Sequence, residues 1–221
     1  MPTQLLVFIY DDNFVAAETL LRSGGGKKLI DVPDEDGMLP IHAVTDFSAY
    51  DELSVDVRAS LHSLAILLIE NGAKLDIAHE GLLPIHYVCA HKNGSLAVLR
   101  AILNKGFDPN VQDTAGETAL HHAIKAGESH KSIIEELLKR SDLKMLKTIE
   151  QFTPLDYARK YYPAVAGKIE EYQRKDLDVN PQLMLMQYQI VKEQPRVNII
   201  IADKISEDKE KGIVAVNKKV V

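Results

Sequence analysis

The sequence predicts an all-α solenoid of about five stacked helix-turn-helix units with a C-terminal extension, and three observations lead there. Leu39-Pro40-Ile41-His42 recurs as Leu83-Pro84-Ile85-His86, then returns in altered form as Thr118-Ala119-Leu120-His121 and Thr153-Pro154-Leu155-Asp156. The starts lie 44, 35 and 35 residues apart, and a period in the thirties marks stacked repeats rather than one globular core. Each motif also opens the same succession of turn, short amphipathic helix, break and second helix. Function is therefore to be sought on a surface.

The third unit shows the physics most plainly. Glu80-Gly81 is a turn signal, and Pro84 suits the first helical position, where its missing N–H would have no partner anyway. Ile85, Val88 and Cys89 recur at i, i+3 and i+4, giving the first helix one apolar face before Asn93-Gly94 stops it. A second helix from Ser95 to Lys105 carries Leu96, Leu99, Ile102 and Leu103 and ends at Gly106. The fourth unit repeats the plan with an Ala115-Gly116 turn, a Thr118 cap, a helix through Ile124, a break at Gly127 and a second helix carrying Ile133, Ile134, Leu137 and Leu138. A pair of such helices is marginal alone, so stacking must bury both faces.

These residues resemble the ankyrin repeat family, whose signature is a turn with Gly, then Thr-Pro-Leu-His, a second helix ending in Leu-Leu and a Gly-Ala stop. The second unit matches at Gly37, Leu39 to His42, Leu67-Leu68 and Gly72-Ala73; the third at Gly81, Leu83 to His86, Ile102-Leu103 and Gly106; the fourth at Gly116, Thr118 to His121 and Leu137-Leu138. The resemblance extends to the ends. Gln4 to Asp11 and Asn13 to Leu21, followed by Ser23-Gly24-Gly25-Gly26, read as an N-terminal capping repeat. Thr153 to Tyr161 and Pro163 to Gln173 read as a last repeat that has lost its turn glycine. The units are expected at about 1–34, 35–77, 78–111, 112–147 and 148–175, with an extension over 176–221.

Two departures stand out. Leu39 and Leu83 replace the capping Thr, a loss worth about 1 kcal/mol each, and these leucines either pack or face a partner. The 44-residue spacing leaves roughly ten extra residues between the helices of the second unit, around Phe47 to Arg58, and such insertions map to loops.

Composition excludes several function classes. The formal charge of −6, from 26 basic and 32 acidic residues, gives no general attraction to phosphate backbones. Cys89 is the single cysteine and cannot form an internal disulfide, which suits a reducing compartment. The uncharged stretches His62 to Ile69 and Val179 to Val191 fall short of the roughly 20 residues that a membrane span needs.

Little in the chain points to chemistry. His42, His86 and His121 occupy the motif position where, by the resemblance, the imidazole ties turns of adjacent repeats. His121-His122 are neighbours that point in different directions on a helix, a poor chelate, and no His-Glu-x-x-His or paired-Cys spacing exists. Ser23 to Lys28 lacks the order of a phosphate-binding loop and follows a helix. Neither a catalytic residue, a metal site nor a cofactor is expected.

In ankyrin proteins partners commonly contact the turn tips and the exposed side of the first helices. Carried over by register, those positions are Asp36 and Met38, Asp46 and Phe47, His79, Leu82, Tyr87 and His91, then Ala115, Glu117, His122, Lys125, Tyr157 and Lys160. Met38, Phe47, Leu82, Tyr87 and Tyr157 together would make an apolar patch of the kind that marks partner sites. The other reading packs Met38 and Leu82 under the turns and folds Phe47 into the inserted loop.

After residue 176 the register is gone. Asn180-Pro181 is a helix start with Leu183, Met186, Ile190 and Val191 as its stripe, and Arg196 to Ala202 and Ile213 to Val221 read as strands of a hairpin. The acidic stretch followed by hydrophobic residues there is similar to the secretion tails of bacterial type IV effectors. The expected function is a non-enzymatic, monomeric, cytosolic module that binds a protein partner, with no nucleic acid and no membrane. The alternatives are a secreted effector whose stack engages a host protein, and the targeting part of an enzyme.

Overall fold

The computed structural model describes residues 2–46, 54–92 and 94–179, with side chains as far as residue 175. Their helices are α1 (Gln4–Tyr10), α2 (Phe14–Arg22), α3 (Pro40–Thr45), α4 (Val55–Glu70), α5 (Pro84–Ala90), α6 (Leu96–Asn104), α7 (Ala119–Ala126), α8 (Lys131–Leu137), α9 (Pro154–Tyr161) and α10 (Pro163–Val179). The first helices pack in one row, α1, α3, α5, α7 and α9, and the second helices α2, α4, α6 and α8 pack in a row behind it. No extended strand forms among the described residues. No helix among them is long and apolar enough to cross a membrane.

Apolar periodicity explains the two rows. Ile85, Val88 and Cys89 of α5 and Leu99 and Ile102 of α6 are fully buried, in a core that runs from Leu5 to Ile169. Each large aliphatic side chain so buried stabilises the stack by roughly 1.5–3 kcal/mol. The compact stack closes at Tyr172, whose hydroxyl donates to the carbonyls of Arg140 (2.7 Å) and Leu143 (3.0 Å). Helix α10 continues through the boundary expected at 175, to Val179. The helix expected from Asn180 and the hairpin after it lie outside the described residues.

Three second helices start on side-chain oxygens: Asn13, Ser54 and Ser95 accept from the amides of Ala16 (3.3 Å), Val57 (3.2 Å) and Val98 (3.4 Å). First helices with leucine at the cap start differently. The Leu39 and Leu83 amides donate to Nδ1 of His42 (3.3 Å) and His86 (3.1 Å), and the His42 and His86 amides, with no cap hydroxyl to accept them, donate to the Leu39 and Leu83 carbonyls (2.9 Å each). Leu39 itself packs, at 2% exposure. Thr153 and Asp156 form the reciprocal version, with the Asp156 amide donating to Oγ1 (3.2 Å) and the Thr153 amide to Oδ2 (2.8 Å).

Two more boundaries differ from expectation. Val55 to Arg58, read as inserted loop, form the first turn of the 16-residue α4, because Ser54 caps them. A 3-10 turn, Gly127–His130, precedes α8, and Leu138 is its cap rather than its last helical residue.

Projecting turns repeat one hydrogen-bond scheme. The Asp34 amide donates to the Met38 carbonyl (3.1 Å), that of Asp113 to Glu117 (2.9 Å) and that of Thr148 to Phe152 (2.9 Å). Asp34 Oδ1 also accepts from the amides of Asp36 and Met38, and Asp113 Oδ1 from those of Ala115 and Glu117. The third unit instead closes a two-residue turn between His79 and Leu82, with Glu80 (φ 49°) and Gly81 (φ 81°) both left-handed. In the last unit Gln151 holds φ 68° where the second and fourth units have Gly37 and Gly116. A left-handed L-residue costs roughly 1–2 kcal/mol, of which glycine's greater freedom in the unfolded chain takes back part. Gln151→Gly is therefore expected to raise the unfolding free energy by about 0.5–1 kcal/mol in urea denaturation; a loss of stability would show that the side chain supports the turn.

Candidate functional site

The motif histidines are fully buried. His42 donates through Nε2 to the Ile77 carbonyl (2.9 Å) and His86 to that of Val111 (3.1 Å), while Nδ1 of each accepts its own cap amide. These partners define neutral rings with the proton on Nε2. Burial lowers both below the usual imidazole range. His121 repeats the cap contact with the Thr118 amide (3.1 Å), and burial holds it down to about 4. The Phe152 carbonyl lies near its Nε2 without forming a good hydrogen bond.

Beside these rings the turn tips and first helices bring most of the expected binding residues into three groups. Asp36, Met38 and His79 line one pocket with Tyr10, Asp34 and Glu80. The Tyr10 hydroxyl donates to Asp34 Oδ2 at 2.5 Å. Burial pushes the Asp34 carboxyl up, but this bond and the Met38 and Asp36 amides outweigh it and hold it below its ordinary value.

In the second group Asp46 faces His91 across 3.5 Å, and the Tyr87 ring stacks against His91 with centroids 6.3 Å apart. Tyr87 is 3% exposed, and its hydroxyl donates to the His79 carbonyl at 3.0 Å. Burial, with Asp46 and Glu80 nearby, pushes that phenol up to about 12.

The third group is a network. His122 Nε2 donates to Asp113 Oδ2 at 2.8 Å, Lys125 Nζ lies 3.0 Å from Glu117 Oε2, and the Tyr157 hydroxyl donates to Glu117 Oε1 at 2.5 Å. Both carboxyls sit below their ordinary values although burial opposes it: His122 and the turn amides hold Asp113, and Tyr157 and Lys125 hold Glu117. Asp113, Glu117 and His122 are also the described residues whose ligand atoms, within 4.8 Å of one another, could gather round a cation. The Lys125 ammonium already supplies positive charge there, and the protein's own donors occupy the carboxylate oxygens.

This geometry corrects part of the expected surface. Tyr87, His79, Glu117, His122 and Tyr157 are all buried, because each finds ring or hydrogen-bond partners between the turns, so they position the tips instead of lying open on them. Asp36 and Lys125 are exposed, while Met38, Asp46, Leu82 and His91 are half-buried. Phe47 lies outside the described residues.

A family model described as ankyrin repeats (3 copies) matches residues 53–148 and 85–167, together just over half of the chain. The chain belongs to the ankyrin repeat family. It is also similar to a transient receptor potential channel of Drosophila melanogaster, pyrexia: 26% identical over 142 residues, which are 64% of this chain and 14% of that channel. The chain thus spans about a seventh of this relative's length.

Ankyrin register also locates residues that were not singled out from the sequence. Phe152 stands just before its cap, as Met38, Leu82 and Glu117 do, and Tyr161 lies one helical turn beyond Tyr157. Phe152 is 46% exposed, Tyr161 43% and Ile149 70%, so the tip of the last unit presents apolar surface. Phe152 and Tyr161 flank the buried Tyr157 ring at centroid distances of 6.4 and 5.4 Å, and Lys160 Nζ lies 4.7 Å from the Tyr161 ring.

Proposed function

We propose that this ankyrin stack is a non-enzymatic module that holds a protein partner across its turn tips and the open side of its first helices. The single observation that carries this reading is the exposed aromatic group of the last unit, Phe152 and Tyr161 with Ile149 beside them. Exposed aromatic side chains next to a cation supply the contact area on which interface hot spots are built. Asp36, Met38, Asp46, Leu82, His91 and Lys125 are the remaining contact residues, and the buried Tyr87, His79, Glu117, His122 and Tyr157 fix the tips from beneath. Cys89, fully buried with its thiol raised by burial, fits a module working in the reducing cytosol. The export reading rests on residues outside those described and gains no support.

The test is affinity capture on the immobilised full chain, with the captured protein identified by mass spectrometry and then titrated in purified form. Phe152→Ala and Tyr161→Ala are each expected to weaken its binding about tenfold or more, with unchanged circular dichroism. Unaltered affinity in both folded variants rejects this face.

A further inference from the structure

A pocket between the first three units is lined by Tyr10, Asp34, Asp36, Met38, His79 and Glu80. Its floor is Asp34, whose Oδ1 accepts the amides of Asp36 (3.0 Å) and Met38 (2.9 Å) and whose Oδ2 accepts the Tyr10 hydroxyl. Asp36 and Glu80 stand exposed on its rim, with no ion pair to either among the described residues. Tyr10, itself 46% exposed, and Met38 form an apolar wall, with the hydroxyl 3.6 Å from the thioether. His79, 8% exposed, also lines the pocket; its ring packs on that of His42 with centroids 5.7 Å apart and makes no hydrogen bond to any described residue, while its backbone is paired across the turn. A ring nitrogen on the pocket wall with no hydrogen-bond partner among the described residues is open to a ligand there.

The chemistry selects among ligands. Three carboxylates repel an anion, and a neutral apolar group would cover them without compensation. A compact divalent ion needs several converging free oxygens, but both Asp34 oxygens are engaged, which leaves Asp36 and Glu80 alone. A planar, weakly hydrated guanidinium answers the whole set: it stacks on an aromatic face, packs against a thioether, and sends N–H groups to two carboxylates and an imidazole nitrogen.

We infer that the pocket lined by Tyr10, Asp34, Asp36, Met38, His79 and Glu80 receives an arginine side chain of the protein partner. This deepens the interaction-module reading and rests on it, but its test needs no natural partner, so either can fail without the other.

The 15N-labelled full chain is titrated with acetyl-Gly-Arg-Gly-amide, with the same peptide carrying citrulline in place of arginine, and with calcium chloride. The arginine peptide is expected to shift the amide signals of Asp36, Met38 and Glu80 and the His79 ring signals, with a dissociation constant on the order of millimolar. Citrulline, which keeps the shape and loses the charge, is expected to shift none of them. Asp36→Asn with Glu80→Gln is expected to weaken arginine binding about tenfold, and the spectrum of the variant reports its folding directly; neither side chain makes a hydrogen bond or ion pair to a described residue. Equal shifts with citrulline, undiminished binding by the folded double variant, or shifts spread evenly over all acidic turns would overturn the assignment. So would calcium producing the same shifts at lower concentration, which makes the pocket an inorganic cation site.

Discussion

Replacing Gly116 with alanine is expected to lower the unfolding free energy by about 2–4 kcal/mol, against about 1–2 kcal/mol for Gly37→Ala. The two glycines occupy the same place in equivalent turns and share a left-handed backbone, φ 75° and 82°. The conformational cost is therefore common to both. What differs is the neighbourhood: a Cβ at Gly37 meets nothing within 4 Å, whereas at Gly116 it would lie 2.8 Å from the Ile149 nitrogen and 3.1 Å from Thr148 backbone atoms. Backbone cannot rotate away as a side chain can. The next tip must move, and with it the hydrogen bond from the Ile149 amide to the Ala115 carbonyl (3.0 Å). Gly81→Ala should fall between, because its Cβ would meet the Thr114 side chain at 2.6 Å. Urea denaturation of the three variants decides the matter, and equal costs would mean that the tips do not press on one another.

Acid should weaken the stack before its carboxylates are protonated. His42, His86, His121 and His130 all have folded values lowered by burial, His121 to about 4, from an ordinary 6.5. Below 6.5 the unfolded chain binds more protons than the folded one, so their stabilising contribution is complete above pH 6.5 and is lost as pH falls below it, for His121 down to about 4. The structural cause at three of them is specific: a protonated ring carries hydrogen on Nδ1 and cannot accept the cap amide that His42, His86 and His121 each hold. His121 alone accounts for roughly 2–3 kcal/mol across that window. Asp34, Asp113 and Glu117, lowered in their turn, act in a separate range: their contribution is lost as pH falls below the ordinary carboxylate value. Denaturation midpoints from pH 7 to 4 should fall steadily, and the fall should be shallower in His121→Gln, which keeps an acceptor at the cap but does not titrate. An identical slope in that variant would remove His121 from the explanation.

Helices, breaks and register were legible because Pro40, Pro84 and Pro154 mark starts, glycines mark turns, and Ile85, Val88 and Cys89 recur with helical period. The role of the motif histidine as a tie agrees for His42 and His86, which donate to Ile77 and Val111; the contact with its own cap amide had no sequence signature beyond its place three residues into the helix. Exposure was the least legible quantity. Tyr87 and Tyr157 lie in the same register and look like open anchors, yet each hydroxyl finds an acceptor, the His79 carbonyl and the Glu117 carboxylate, that folding alone brings near. Phe152 and Tyr161 could have been found by extending the same register into the last unit. Tyr10 could not, since its partner Asp34 belongs to another turn, 24 residues away.

The histidine ties give the molecule a direction. His42 and His86 each complete their own helix start on one side and reach ahead on the other, to a carbonyl in the segment that leads into the following unit. Ile77 and Val111 are the last residues of the second and third units, so each tie runs the length of one unit, from the start of its first helix to its exit. Each of these two units is thus buckled to its own exit, and a break between histidine and carbonyl, rather than at the seam between units, is the one that releases the imidazole proton.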